Sequence, residues 1–345
     1  MKKFLLILVA LVLVGAGAVE WAIAAWDSPG PGRAEKVVLI APHTPLHETV
    51  QQLRDAGAVN FNLMFELELR ARGLASQVKA GEYAIPAHAS MSAIAAILVA
   101  GKSIQHKLTA AEGLTSEMIW KLVQADPVLV GEAGPMPAEG TLLPETYLFT
   151  RGMTRSKLLN QMAEAQVKFL EAHWPGRAAD LPVQTERQAV ILASIVEKET
   201  ALPDERRHIA QVFVNRLKQG MPLQSDPTII YGLTKGYPLG HGIRQSELQS
   251  DTAYNTYRIP ALPPGPIANP GKDALLAVLN PPPGADLYFV ADGKGKSLFA
   301  ATIADHARNV IAFRAAERMK AAPDVQVSTD AIRDYVPSLP KARHR

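Results

Sequence analysis

Residues 185–200 read TERQAVILASIVEKET, and their spacing predicts the clearest helix in the chain, opened by Thr185 or Glu186. At about 100° per residue, Leu192, Ile195 and Val196 join Ile191 in one apolar arc centred at about 70°. Glu199 falls inside that arc at about 80°, whereas Glu197 falls opposite at about 240°. The helix therefore sets one carboxylate on an apolar face and one on a wet face. A carboxyl in apolar surroundings has a raised pKa and holds its proton near neutrality. That is the requirement for a general acid in glycosidic cleavage. A helix-end glutamate that snorkels, or that pairs with an arginine such as Arg206, fits the same spacing, and wheel position does not separate the two.

Downstream of this helix, Leu202-Pro203 is expected to end it, and Ile209 to Leu217 to form the next, closed by Gly220. Residues 221–272 are rich in Pro, Gly, Tyr and Asn and read as irregular. Within them Gln224 to Gly232 suggests a shaped loop entering a short strand or turn, because Pro227 restricts Asp226. Tyr254-Asn255-Thr256-Tyr257 and Leu262-Pro263-Pro264-Gly265-Pro266-Ile267 follow. Tyrosine rings stack on sugars and amides bond their hydroxyls; a Pro-rich packed loop has the same composition. A helix at 272–279, strands at 287–290 and 297–299 joined through Gly293 and Gly295, and a last helix at 303–322 complete this half. The tail, 324–345, reads as loose.

Upstream lies a small module of about 70 residues. Its predicted order is a strand at 37–40, helices at 45–56 and 61–72, a strand at 83–85, and a helix capped by Ser90 or Ser92 and ended by Gly101. Thr44 is the expected cap of the first helix, with Pro45 in its first turn. Residues 104–180 suggest a strand at 105–109, a helix from Thr115, a Gly/Pro-rich loop at 131–140 and a helix at 157–172. The fold class is α+β. The domains read as an anchor at 1–27, a linker at 28–36, the small module at 37–103 and a larger domain at 104–323.

Lys2 and Lys3 precede sixteen residues, Phe4 to Val19, without charge. That run spans about 24 Å, short of the roughly 20 residues that a bilayer usually takes. Glu20 would then sit at the far interface, with Trp21 and Trp26 among the headgroups. The lysines favour a cytoplasmic start and an exported body. A cleaved signal peptide, with Ala16-Gly17-Ala18 as its small residues, and a buried N-terminal helix are the rivals.

Composition narrows the chemistry. The chain has 345 residues, 48% hydrophobic and 20% charged, which suits one large or two smaller globular domains. A net charge of +3 does not argue for nucleic acid. With no cysteine, disulfides, thiolate nucleophiles, iron–sulfur clusters and cysteine zinc sites are excluded. His43 and His47 flank Pro45, and position 51 is Gln51, so no His-Glu-x-x-His motif forms. Gly-x-Ser-x-Gly and Gly-rich phosphate loops do not occur, and neither metal nor cofactor is called for.

Taken together, several stretches resemble the endolytic murein transglycosylases, the YceG-like family of bacterial cell-wall enzymes. They are Ala193 to Thr200, Val212 to Leu217, Leu223 to Gly232, Ala253 to Tyr257, Leu262 to Ile267 and Tyr288 to Gly293. A serine at 225 in place of a threonine is a minor departure. The resemblance implies a single-pass inner-membrane protein with a periplasmic body, and a LysM-like peptidoglycan-binding module over 37–103, with Lys79 to Tyr83 its clearest match. It also implies Glu199 as the catalytic acid, peptidoglycan glycan strands as substrate and peptidoglycan synthases as neighbours. Gln224, Asp226, Tyr254 and Asn255 are candidates for glycan positioning or for support of Glu199. Glu145, in Leu143-Pro144-Glu145-Thr146-Tyr147, is a further cleft candidate. Two other readings stay open: a hydrolase of the same glycan using Asp226 as second carboxylate, and a non-catalytic cell-wall scaffold.

Overall fold

The N-terminal apolar run forms one helix, α1 (Lys2–Asp27), in a computed structural model that describes residues 2–321. The expected loose tail at 324–345 lies outside the described residues. Among those, the stretch Val9–Asp27 is the one helical segment long and apolar enough to cross a membrane. Phe4, Leu11 and Val14 stand exposed on it. The far end of α1 departs from the expected headgroup anchor. Trp26 is buried, its ring 5.8 Å from that of Phe65 and capped by the Arg72 guanidinium at 4.6 Å. Trp21 packs edge-on against Phe61 at 5.5 Å.

The chain divides into two compact units, 1–166 and 167–345. In the first, β1 (Lys36–Ile40) pairs antiparallel with β2 (Gly81–Ile85), Val38 opposite Tyr83. Between the strands run α2 (Leu46–Asp55) and α3 (Asn62–Ala71), and α4 (Met91–Ala100) follows. Val38, Val50, Leu53, Phe65, Leu69, Tyr83, Ile94 and Leu98 fill the space between them. Ser90 caps α4, accepting the Ala93 N–H at 3.2 Å, and Gly101 ends it with φ +69°. Thr44 does not cap α2: Pro45 occupies that position, and the Thr44 hydroxyl donates to the Ala41 carbonyl instead. The segment after α1 is pinned rather than loose. The Gly30 N–H donates to the His88 carbonyl at 3.1 Å, and a Cβ on Gly30 would lie 2.2 Å from the Ala89 oxygen, so only glycine fits.

A second core in this unit gathers Leu108, Ile119, Val123, Leu142, Phe149, Leu158 and Met162. It is built by β3 (His106–Thr109), α5 (Ser116–Ala125), capped by Thr115, β4 (Thr146–Phe149) and α6 (Arg155–His173). β3 and β4 pair antiparallel, a strand the sequence reading lacked. The first core ends at Leu98 and the second begins at Leu108. Between the two, Glu82 accepts from Arg151 at 2.9 Å and pairs with His106 at 2.6 Å. Burial pushes its pKa up, but those two partners outweigh burial and hold it below the ordinary value.

The second unit is mostly helical. α7 (Glu186–Glu199), capped by Thr185, packs on α8 (Pro203–Lys218). α9 (Asp226–Thr234), a short α10 (Gln245–Leu248) and α11 (Lys272–Leu279) follow. The antiparallel hairpin of β5 (Tyr288–Ala291) and β6 (Ser297–Ala300) leads into α12 (Ile303–Ala321). Two proline readings change. Pro203 starts α8 six residues earlier than expected, and Pro227 sits in the first turn of α9 where a loop entering a short strand or turn was expected. Proline lacks only an N–H that the first turn leaves unpaired anyway, so it opens helices as readily as it ends them.

Candidate active site

α7 is buried on every side from Ala189 to Val196, because α8, α9 and α11 all pack against it. The one-sided wheel therefore misplaces Glu197. Its side chain is 6% exposed, bonds the Arg206 guanidinium at 3.4 Å and accepts the Gly271 N–H at 2.9 Å. The arginine pair considered for Glu199 thus belongs to Glu197, which lies in the interior rather than on a wet face.

Glu199 is the last residue of α7 and reaches a cavity of about 420 Å³. Glu199 is half-buried and lines that cavity. The Ser225 hydroxyl donates to Glu199 Oε1 at 2.5 Å. Ser225 is itself fixed: its N–H donates to Thr256 Oγ1 at 2.9 Å, and its carbonyl accepts from the Thr228 hydroxyl at 2.6 Å. Burial raises the Glu199 pKa from 4.5 to about 7; the Asp226 charge adds to the rise, and Ser225 and Arg216 oppose it. The carbonyl end of α7 acts in the same direction as burial. At neutral pH the group is poised between acid and base.

Asp226 and Gln224 line the same cavity. Asp226 Oδ1 accepts from the Tyr257 hydroxyl at 2.6 Å, which with burial pushes the phenol pKa up. Gln224, held at φ +54°, accepts from Arg216 through its Oε1 at 3.1 Å. Asn255 is fully buried, donating to the Leu248 and Ser250 carbonyls and accepting the Tyr257 N–H, so it shapes the loop that carries Tyr257. Tyr254 packs on Tyr231 at 4.8 Å rather than on the cavity. Glu145 belongs to the first unit, where it raises the Tyr147 pKa after burial does. That unit has a larger groove of about 710 Å³, but no carboxylate lines it.

The sequence reading passed over Arg216 and His306. Arg216 is buried on α8, donates to the Leu287, Pro222 and Leu223 carbonyls, and lines the Glu199 cavity. Its signal was an arginine inside the apolar run Val212 to Leu217. His306, on α12, also lines the cavity. Among the described residues no group of three or more His, Asp or Glu gathers as metal ligands.

The profile of the YceG-like family matches residues 38–312. An endolytic murein transglycosylase of Bacillus subtilis is 34% identical over 172 residues, 49% of this chain and 46% of that protein. One from Streptococcus pneumoniae is 37% identical over 179 residues, 50% of this chain and 31% of that protein. The chain thus spans less than half the length of these relatives. A crystal structure of a yceG-like protein from Listeria monocytogenes shares 26% identity and a TM-score of 0.49, covering 80% of this chain and 99% of that one.

Proposed function

The chain belongs to the YceG-like family, and from that premise we propose that it cuts peptidoglycan glycan strands internally as a lytic transglycosylase, with Glu199 carrying the proton. The observation that carries this reading is the half-buried Glu199 carboxyl, bonded by Ser225 at the edge of a cavity, where burial raises its pKa to about 7. In the first step the Glu199 carboxyl donates its proton to the oxygen linking N-acetylmuramic acid to N-acetylglucosamine, and the muramyl C1–O bond breaks. Positive charge develops at C1. The muramyl C6 hydroxyl then bonds to C1, closing a 1,6-anhydro ring, and its proton returns to Glu199. No water is consumed and the acid is regenerated. Arg216 favours the carboxylate that exists between the two transfers, and Ser225 keeps it aimed.

The same proposal takes α1 as an inner-membrane anchor, with the body in the periplasm and glycan polymerases as neighbours. It takes residues 37–103 as a LysM-like glycan-binding module. Lys2 and Lys3 before the apolar run support the first, and the strand–helix–helix–strand order with antiparallel strands supports the second.

The test compares the full chain in detergent with its Glu199→Gln variant on isolated glycan strands, products being weighed by mass spectrometry. The wild type should release anhydro ends, and the variant should lose about 10²–10⁴ in rate while melting cooperatively and no earlier than the wild type. Near-normal turnover by the folded variant would falsify the assignment. Asp226 in the same cavity favours one competing reading, hydrolysis, which would leave reducing ends instead.

A further inference from the structure

α12 brings one more titratable group to the Glu199 cavity. His306 lines it beside Arg216 and Tyr257. Its ring stacks on Tyr288, centroids 5.1 Å apart and planes 21° apart, and its Nδ1 is buried with no hydrogen-bond partner. Such orphaned atoms are uncommon in native interiors and need a reason. A proton on Nδ1 would seal a donor away from any acceptor, whereas a bare lone pair there is the smaller loss. The ring proton therefore belongs on Nε2, the nitrogen left to meet a ligand. A second proton is opposed too. Burial first, and then the Arg216 guanidinium, holds the His306 pKa below its ordinary value. Tyr288 from β5 and Arg216 from α8 are the titratable or charged groups that act on the ring.

We propose that His306 is a substrate-contacting residue of this cavity, a neutral imidazole whose Nε2–H donates to a hydroxyl or N-acetyl oxygen of the sugar held against Glu199. The assignment rests on the glycan reading of the site. It gives His306 a role distinct from that of Glu199. With Nδ1 buried and the proton on Nε2, the ring fixes the sugar and takes no proton from it. A neutral imidazole used as a donor is a known device at sites that need a hydrogen bond without a positive charge.

The experiment uses the full chain in detergent with an oligosaccharide of alternating N-acetylglucosamine and N-acetylmuramic acid. Affinity is measured in a Glu199→Gln background and turnover in the wild-type background. His306→Phe keeps an aromatic ring against Tyr288 but removes both nitrogens. His306→Gln places an amide N–H near the Nε2 position. The Phe variant should melt like the wild type and bind about tenfold more weakly. The Gln variant should recover most of that loss. Ring nitrogen NMR should show the Nε2–H tautomer, shifting when the oligosaccharide binds. Unchanged affinity and turnover in His306→Phe would overturn the contact, as would an Nδ1–H tautomer. Weaker binding that tracks a lower melting temperature in both variants would mark a packing role and also overturn it. If the wild type neither binds nor cuts the oligosaccharide, the glycan reading falls together with the contact. If the wild type is active and only the His306 variants are silent, the contact alone falls.

Discussion

Glu199 is held where a charge is costly, and stability should reveal that cost. Its folded pKa, about 7, lies above the ordinary 4.5. Between those values the unfolded chain has released a proton that the folded chain still binds, so stability falls as pH rises through that window. Above pH 7 the wild type carries a penalty on the order of 3 kcal/mol, taking about 1.36 kcal/mol per pKa unit. Glu199→Gln has no charge to bury. It should be more stable than the wild type by on the order of 2–3 kcal/mol at pH 8, with the gap closing at pH 4. Denaturant unfolding at the two pH values measures this. A gap independent of pH would mean that the carboxyl is not enclosed in solution.

At the scale of the element, α7 carries two glutamates two residues apart with opposite tasks. Glu197 ties α7 to α8 through Arg206 and to the start of α11 through the Gly271 N–H. Glu197→Gln removes the charge opposite Arg206, which keeps Asp273 at 3.4 Å as a second partner. It should therefore cost on the order of 1–3 kcal/mol of stability, while activity per folded molecule stays near the wild-type level. Thermal melts with activity normalised to folded protein check both parts. A stable variant would return Glu197 to the wet face that the helical wheel assigns it.

At the scale of the whole molecule, α1 is long and apolar enough to cross a bilayer and is packed at its far end. Its apolar length suits a bilayer, yet Trp26 near its end belongs to the core of the small module, against Phe65. Trp26→Ala should lower the stability of that module by about 3–5 kcal/mol, the usual cost of emptying a buried aromatic site. Flotation with liposomes should be unchanged. A headgroup anchor would show the reverse, with weaker flotation and an unaltered melt.

What the sequence by itself determined follows from interactions over a few residues. The helix starts near Ser90 or Ser92, at Thr115 and at Thr185 or Glu186, the stop at Gly101 and the hairpin turning through Gly293 are all of that kind, and the structure selects Ser90 and Thr185 as the caps. So is the grouping of Glu199 with Ile191, Leu192, Ile195 and Val196 on one face of α7, since helical spacing alone sets which side chains share a face. Tertiary structure decided the rest. Ser225 meets Glu199 across 26 residues of sequence and Gly271 meets Glu197 across 74. β4 exists because β3 offers it a partner. Glu197 fails the wheel because a helix wrapped by α8, α9 and α11 has no wet face, and periodicity reports a burial gradient only where one side remains in water.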